Sequence, residues 1–475
     1  MLNYKELEFK SGLEVHFQLE GNKLFCNCPS LVNDPNEPDI TIKRKLRASA
    51  GETGKIDIAA EYEMTKDKTI IYEACSTSSC LLEVDECPPY NLNMHALNTA
   101  IEIALLLKAK PVEEIRVMRK IVVDGSNPGG YQRSLILATD GFIETSKGKV
   151  NIPTIYLEEE AAKKINEDEK TITYRLDRLG VPLMEIDTDS SIKDPEHAKE
   201  IASYIGMIVK STGKAKSGIG SVRQDVNLSI KNLSRIEIKG FQELKSIPKI
   251  IEYEVKRLLE LIKQKKEIKS EVRKAEPDFT TSFLRPMPGS ARMYVETDIP
   301  IIPITKQLLS KIKLPELLIE KALKLEKKYK LNPDIAREAI EIKNFEDYIK
   351  KYPNIPPSLI AHTLIETPKE IKTRFNLDAE KLTDKDFEFI FSSLNQEKIQ
   401  KSAIIEILTE ILQGKHIDLN KYKPVSEDNV EKDIHELVEQ KPDLTIQALM
   451  GIVMNKYKGK VDGKKVMEIL RKYKH

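Results

Sequence analysis

The chain has 475 residues, of which 76 are Lys or Arg and 75 Asp or Glu, so a 32% charged composition sums to a formal charge of +1. That balance excludes a protein that coats nucleic acid by bulk charge, while leaving room for a local basic surface. A 40% hydrophobic share over this length argues against global disorder and supports about three domains at roughly 150 residues each.

The first seventeen residues lack an apolar core behind a basic start, and no run reaches the ~18 apolar residues of a membrane span. Five cysteines, an odd number in a long chain, do not make a disulfide framework. A soluble, cytoplasmic protein is expected.

Short alternating segments come first. In residues 13–19, Leu13, Val15, Phe17 and Leu19 alternate with Glu14, His16 and Gln18, the pattern of a strand with one apolar and one polar face. Residues 92–109 have helical period. Residues 119–134, RKIVVDGSNPGGYQRS, join a basic pair to a strand and a Gly-, Ser- and Asn-rich turn, which suits either a plain β-turn or a loop presenting donors to an anion. Glu158, Glu159 and Glu160 precede what reads as a helical segment, either as an acidic first turn or as metal ligands.

Three further strands share the two-faced design. Glu185 and Asp187 oppose Met184 and Ile186; Ser221, Arg223, Asp225 and Asn227 oppose Val222, Val226 and Leu228; Arg235, Glu237 and Lys239 oppose Ile236 and Ile238. Ordinary solvated strand faces favour Thr, Lys and Gln, whereas these carry Asp, Glu, His, Asn and Arg, poor strand formers but good ligands for metal and phosphate. Four such strands together predict a polar binding floor. Carboxylates favour Mg²⁺, and a His ligand also suits Mn²⁺ or Zn²⁺.

Helices are expected at Pro195–Ser211 and after Pro248, the latter dissolving into a charged surface connection, KQKKEIKSEVRK. From about Pro303 the chain is helical, punctuated by prolines, with a linker at 416–424 and a small terminal unit. The paired cysteines Cys26, Cys28 and Cys75, Cys80 suit a four-thiolate zinc site or buried free thiols. Residues 425–444 hold seven acids against two lysines, and 445–475 eight bases against two acids. Lys456, Lys458, Lys460, Lys464 and Lys465, with Tyr457 interleaved, suit contact with an RNA backbone.

The strings GLEVHFQL, KLFCNCPS, VMRKIVVDGSNPGGYQRS, LEEEAA, YRLDRLGVPLMEI, GSVRQDVNLSI, RIEIKGFQ and RPMPGSARMYVETD, in order over the first 300 residues, resemble the GatB/GatE family of tRNA-dependent amidotransferases. The DGSN…YQRS, DRLG and RPMPGSARMYVETD strings point to its archaeal E-type branch rather than the bacterial B-type. The tail string LMGIVMNKYKGKVDGKKV is similar to the tRNA-binding end of both.

The resemblance implies an α+β fold: a glutamine-synthetase-like cradle with an antiparallel sheet over 1–300, a helical domain over 301–415 and a tRNA-binding tail over 425–475. It implies a carbon–nitrogen ligase with glutamine or asparagine as amide donor. ATP phosphorylates the glutamate esterified to tRNA(Gln), and ammonia from a GatD-like, asparaginase-type amidase, its partner in a heterotetramer, displaces the phosphate. Glu14, His16, Glu158, Glu159 and Glu185 would hold Mg²⁺, and Arg119, Lys120, Ser126, Asn127, Arg223, Asp225, Asn227 and Lys239 would line the ATP and substrate site. The cysteines partly match a zinc site found in some members. Two departures stand out: a large insert common in the E-type branch before the RPMPG string is absent, and Glu160 stands where Asp is common. A B-type subunit acting on Glu-tRNA(Gln) and Asp-tRNA(Asn), or a non-catalytic tRNA-binding scaffold, are the alternatives.

Overall fold

The computed structural model describes all residues except 1, 32–33, 47–55, 57, 219, 232, 242, 288–292, 424–426, 443, 458–459, 462 and 474–475, and the side chains of 427–428. The chain divides into two units, Met1–Leu317 and Leu318–His475. No helix among the described residues is long and apolar enough to cross a membrane.

The first unit is built on an eleven-stranded sheet. Ten of its strands are β1 (Lys10–Gln18), β2 (Met118–Ile121), β3 (Tyr131–Thr145), β4 (Gly148–Glu159), β5 (Pro182–Asp187), β6 (Val222–Ser229), β7 (Ile236–Phe241), β8 (Glu271–Ala275), β9 (Thr281–Pro286) and β10 (Met293–Val295). Their spatial order is β9-β8-β7-β6-β1-β5-β4-β3-β2-β10, and Lys110–Pro111 pairs beside β3. All neighbours along this path are antiparallel except β7 and β8.

The expected alternation sets the two faces. Leu13, Val15 and Phe17 of β1, Met184 and Ile186 of β5, Leu157 of β4, Leu135 of β3, Val226 of β6 and Ile238 of β7 are buried in one core. Helices α1 (Met94–Leu106), α2 (Pro195–Ser211) and α3 (Ser246–Lys263) supply its other wall through Leu97, Ile101, Ile201, Ile205, Ile251 and Val255. Each such side chain stabilises the fold by roughly 1.5–3 kcal/mol when fully buried. Asn93 caps α1 by accepting from the His95 and Ala96 amides, and Asp194 caps α2 just before Pro195.

The structure corrects several expectations. Residues 157–165 are not a helix start: β4 runs to Glu159 and Lys163–Glu167 is a further strand. That strand belongs to a four-stranded sheet with Ile40–Lys45, Thr69–Ala74 and Thr171–Arg175, which has its own core around Ile70, Tyr72, Ile172 and Tyr174. The end of the charged connection after α3 is strand β8, where Arg273 is buried because Thr281, Glu271 and Glu254 accept from it or neutralise it.

The boundary expected at 300/301 lies at 317/318, since Ile302, Ile304, Leu308 and Ile312 pack on the first core. The second unit holds two apolar cores. One is centred on α4 (Pro357–Phe375) with Ile360, Phe391 and Ile407; the other joins α5 (Glu427–Gln440), α6 (Ile446–Lys456) and α7 (Gly463–Tyr473) through Ile434, Leu449 and Leu470. Part of the expected linker is no linker: Leu419–Tyr422 forms a 3-10 turn, and Tyr422 is buried in the first of these cores. The architecture is α+β, as expected.

Candidate active site on the sheet floor

The second face of the sheet collects the polar side chains. Glu14 lies opposite Asp187 on one side and Asp225 on the other; His16 lies opposite Glu185 and Arg223. Asn227 faces Glu237 across β6 and β7, and Glu158 faces Ser134 across β4 and β3. One floor therefore spans seven strands, from β7 to β2.

Two clusters form on it. Oxygens of Glu14, Asp225 and Glu237 lie within 4.8 Å of one another. Asn227 donates to Glu14 at 2.7 Å, and the Lys239 ammonium donates to Asp225 at 2.7 Å and sits 2.5 Å from Glu237. In the other cluster, His16 Nε2 is 3.1 Å from Glu185, and Lys120 Nζ is 3.1 Å from Glu158 and 3.6 Å from Glu185. Gln132 and Ser134 donate to Glu158 at 2.9 and 2.6 Å. At the floor's edge Arg223 donates to Glu160 at 2.9 Å.

Acids outnumber bases here, and the titration follows. Burial raises Glu14 and Glu158, reinforced by neighbouring carboxylates. Burial, with the charges of Glu185 and Glu14, pushes Asp187 up to about 8. Burial would also raise Glu185, but the His16 hydrogen bond and Lys120 outweigh it and hold that carboxyl down to about 2. Lys120 and Lys239 are raised by their carboxylate neighbours despite burial. Asp187 Oδ1, Asn227 Oδ1 and His16 Nδ1 are buried without a hydrogen-bond partner among the described residues. Converging hard oxygens, some of them unsatisfied, fit a divalent cation with phosphate.

The floor brings together Glu14, His16, Glu158, Glu185, Lys120, Arg223, Asp225, Asn227 and Lys239. Four expected residues are elsewhere. Glu159 follows Glu158 in the strand and turns to the opposite side, where it accepts from the Arg133 amide at 3.1 Å and guanidinium at 3.4 Å. Arg119 precedes Lys120 and likewise turns away, donating to Glu296 at 2.8 and 2.7 Å and stacking on Tyr131. Ser126 donates to Asp124 at 2.7 Å within its own turn. Asn127, with Lys23, Cys26, Glu83, Tyr131, Arg133 and Glu159, lines a separate rear cavity.

The four-thiolate site is also revised. Cys26, Cys28 and Cys80 converge with Glu83, whereas Cys75 lies apart, its sulfur near the carbonyls of Asn36 and Glu37 and 3.3 Å from Arg175. Alternation along the strands already places Asp187 and Glu237 on the polar faces, although no ligand motif marks either. Gln132 and Ser134 are visible only as part of a turn string, and Glu83 carries no local signal.

In the tail, Lys456 and Tyr457 both hold Asp433 of α5, and Lys472 and Tyr473 hold Glu431 at 2.7 and 2.6 Å. Lys464 and Lys465 head α7, each with an interaction partner, and Lys460 precedes that helix. Lys458 falls outside the described residues.

Comparison with known proteins matches this architecture throughout. Residues 9–310 match the GatB/GatE catalytic domain and residues 343–473 the GatB domain. Three relatives are named as the E-type subunits of glutamyl-tRNA(Gln) amidotransferases. That of Methanocaldococcus jannaschii is 36% identical over 625 positions, covering 99% of each chain. Those of Archaeoglobus fulgidus and Saccharolobus solfataricus are 32% and 33% identical, covering 99% of this chain and 99% and 98% of theirs. An aligned span of 625 positions against 475 residues means that the Methanocaldococcus relative carries a long stretch with no counterpart here. On the matched domains and these relatives alike, the chain belongs to the GatB/GatE family.

Proposed function

We propose that this chain is the E-type subunit of a glutamyl-tRNA(Gln) amidotransferase. It phosphorylates the γ-carboxylate of glutamate esterified to tRNA(Gln) with ATP, and ammonia then displaces phosphate to give Gln-tRNA(Gln). The observation that carries this is the floor itself: two carboxylate clusters, each with its own lysine, in a chain that spans 99% of relatives so named.

A carboxylate resists attack by ammonia because its oxygen is a poor leaving group. Conversion to an acyl phosphate removes that obstacle, and the substrate carboxylate is itself the nucleophile towards the γ-phosphorus. The chain therefore needs to position and neutralise rather than to attack. Glu14, Asp225 and Glu237, and Glu185 with His16 and Glu158, are the groups that would hold Mg²⁺. Bound there, Mg²⁺ supplies charge neutralisation at the phosphate oxygens. Lys120 and Lys239 carry positive charge onto the floor and are suited to the transferring phosphoryl group, with Arg223 at the edge. Lys456, Lys460, Lys464 and Lys465 are suited to the RNA backbone. Ammonia comes from a partner amidase of asparaginase type.

The test is co-purification with a candidate amidase, followed by assay on Glu-tRNA(Gln) with ATP, Mg²⁺ and an amide donor. Gln-tRNA(Gln) formed with matching ATP consumption is the expected result. Absence of both overturns the proposal, and equal amidation of Asp-tRNA(Asn) replaces it with the B-type alternative.

A further inference from the structure

One corner of the floor lies outside both carboxylate clusters. Glu160 follows the last residue of β4, and its side chain comes back to the floor side after Glu159 has turned away. It is 2% exposed, and both of its oxygens are engaged. Oε1 accepts from Arg223 at 2.9 Å and from the Ala161 amide at 3.1 Å, and Oε2 accepts from Gln18 Nε2 at 2.8 Å. A buried carboxylate held from three sides is a fixed anchor. Gln18, fully buried at the end of β1, gives its amide nitrogen to that anchor, and its Oε1 has no partner among the described residues.

The cations of the floor are not alike. Lys120 is shared between Glu158 and Glu185, and Lys239 between Asp225 and Glu237. Arg178, beside Glu160, gives its guanidinium to the Ala161 and Ala162 carbonyls at 2.9 and 2.8 Å. Arg223 has donors to spare. Of the five N–H bonds of a guanidinium, one goes to Glu160, and among the described residues none goes elsewhere. Its side chain is 27% exposed, so the rest of the fork is open to the floor. A guanidinium pinned at one edge presents a planar, bidentate face that matches a carboxylate.

Resting on the kinase reading of the floor, we propose that Arg223 binds the γ-carboxylate of the esterified glutamate and that Glu160 is the positioning residue that aims it, with Gln18 as its brace. The reaction brings a carboxylate onto a surface already rich in acids, and that carboxylate needs a cation the clusters have not neutralised. The product amide has lost both the charge and one acceptor oxygen, so the fork that holds glutamate lets glutamine go. Glu160 itself touches neither substrate nor metal.

The test uses the full-length chain in complex with its amidase. Affinities for Glu-tRNA(Gln) and Gln-tRNA(Gln) are compared without ATP or amide donor, because these two ligands differ only at the side-chain carboxylate. The parent is expected to prefer the glutamyl form by roughly tenfold or more, the worth of a charge-assisted hydrogen bond. Arg223→Ala and the isosteric Glu160→Gln should abolish the preference, Glu160→Asp should restore most of it, and KM for ATP should be unchanged in all three. Equal affinities in the parent, a preference that survives Arg223→Ala, or a raised KM for ATP in that variant would each overturn the assignment, the last by giving Arg223 to a phosphate. A Glu160→Gln variant that loses thermal stability but keeps the preference would reduce Glu160 to a structural role and overturn its part. Failure of the kinase reading shows separately, as absence of ATP-dependent Gln-tRNA(Gln) formation by the parent complex.

Discussion

The same strands build two polar regions that behave in opposite ways. Arg119 and Lys120, Arg133 and Gln132, Glu159 and Glu158 are chain neighbours, and one of each pair goes to the floor while the other goes behind it. Behind the sheet the charges of these neighbours are answered: Glu296, 1% exposed, accepts from both Arg119 and Arg133, and Arg133 also meets Glu159. On the floor, acids exceed bases and buried acceptors are left open. Residue types barely differ between the two; saturation does. A saturated network is framework, and an unsaturated one is built for a ligand.

The largest effect that separates them is on turnover. Glu185→Gln or Glu14→Ala should reduce Glu-tRNA(Gln)-dependent ATP hydrolysis by on the order of 10²–10³-fold, the loss expected when a group that organises transition-state charge is removed. tRNA binding, measured by filter retention, should be nearly unchanged. Retained phosphorylation in both variants would remove the floor from the chemistry.

Behind the sheet the expected effect is on stability. Glu296→Gln leaves two guanidinium groups short of their counter-charge, which costs about 3 kcal/mol by urea unfolding, at the low end for a broken buried pair because Arg119 is one-third exposed. The pH dependences should also differ in sign. Burial favours the neutral acid at Glu296, but the Arg119 hydrogen bond prevails and lowers it, so its stabilisation is present above the ordinary glutamate value and fades as pH falls. Burial raises Glu14, so its ionisation erodes stability as pH rises above the ordinary value. Without added metal, Glu14→Gln should therefore gain on the parent as pH rises from the ordinary glutamate range towards neutrality, while Glu296→Gln falls behind. Parallel curves would dissolve the distinction.

Much of this was legible in the sequence. Period-two alternation marks Glu14, His16, Glu185, Asp225, Asn227 and Lys239, because a strand fixes which neighbours share a face. The same rule forbids Arg119 and Lys120, or Glu158 and Glu159, from sharing the floor, and family strings alone hide it. Glu83 was not legible: its partners Lys23 and Cys26 are 60 and 57 residues away in sequence, and no local spacing encodes that meeting. Strand β8 was hidden for a similar reason, since Arg273 is tolerated inside only through Glu254, Glu271 and Thr281.

The tail repeats the contrast at the surface, where the effect should be smallest. Two Lys-Tyr pairs, one closing α6 and one closing α7, each hold an acid of α5, so part of the basic charge suited to RNA is already engaged within the tail. Solvent screens these exposed pairs, so Asp433→Asn with Glu431→Gln should scarcely move the unfolding midpoint. RNA affinity is another matter, because a lysine released from a carboxylate can neutralise a phosphate. The double variant should bind tRNA a few-fold more tightly at low salt. The slope of log affinity against log salt should steepen by roughly 0.7–0.9 for each new phosphate contact. An unchanged slope would mean that RNA approaches a different face of the tail from the one bearing Lys456 and Lys472.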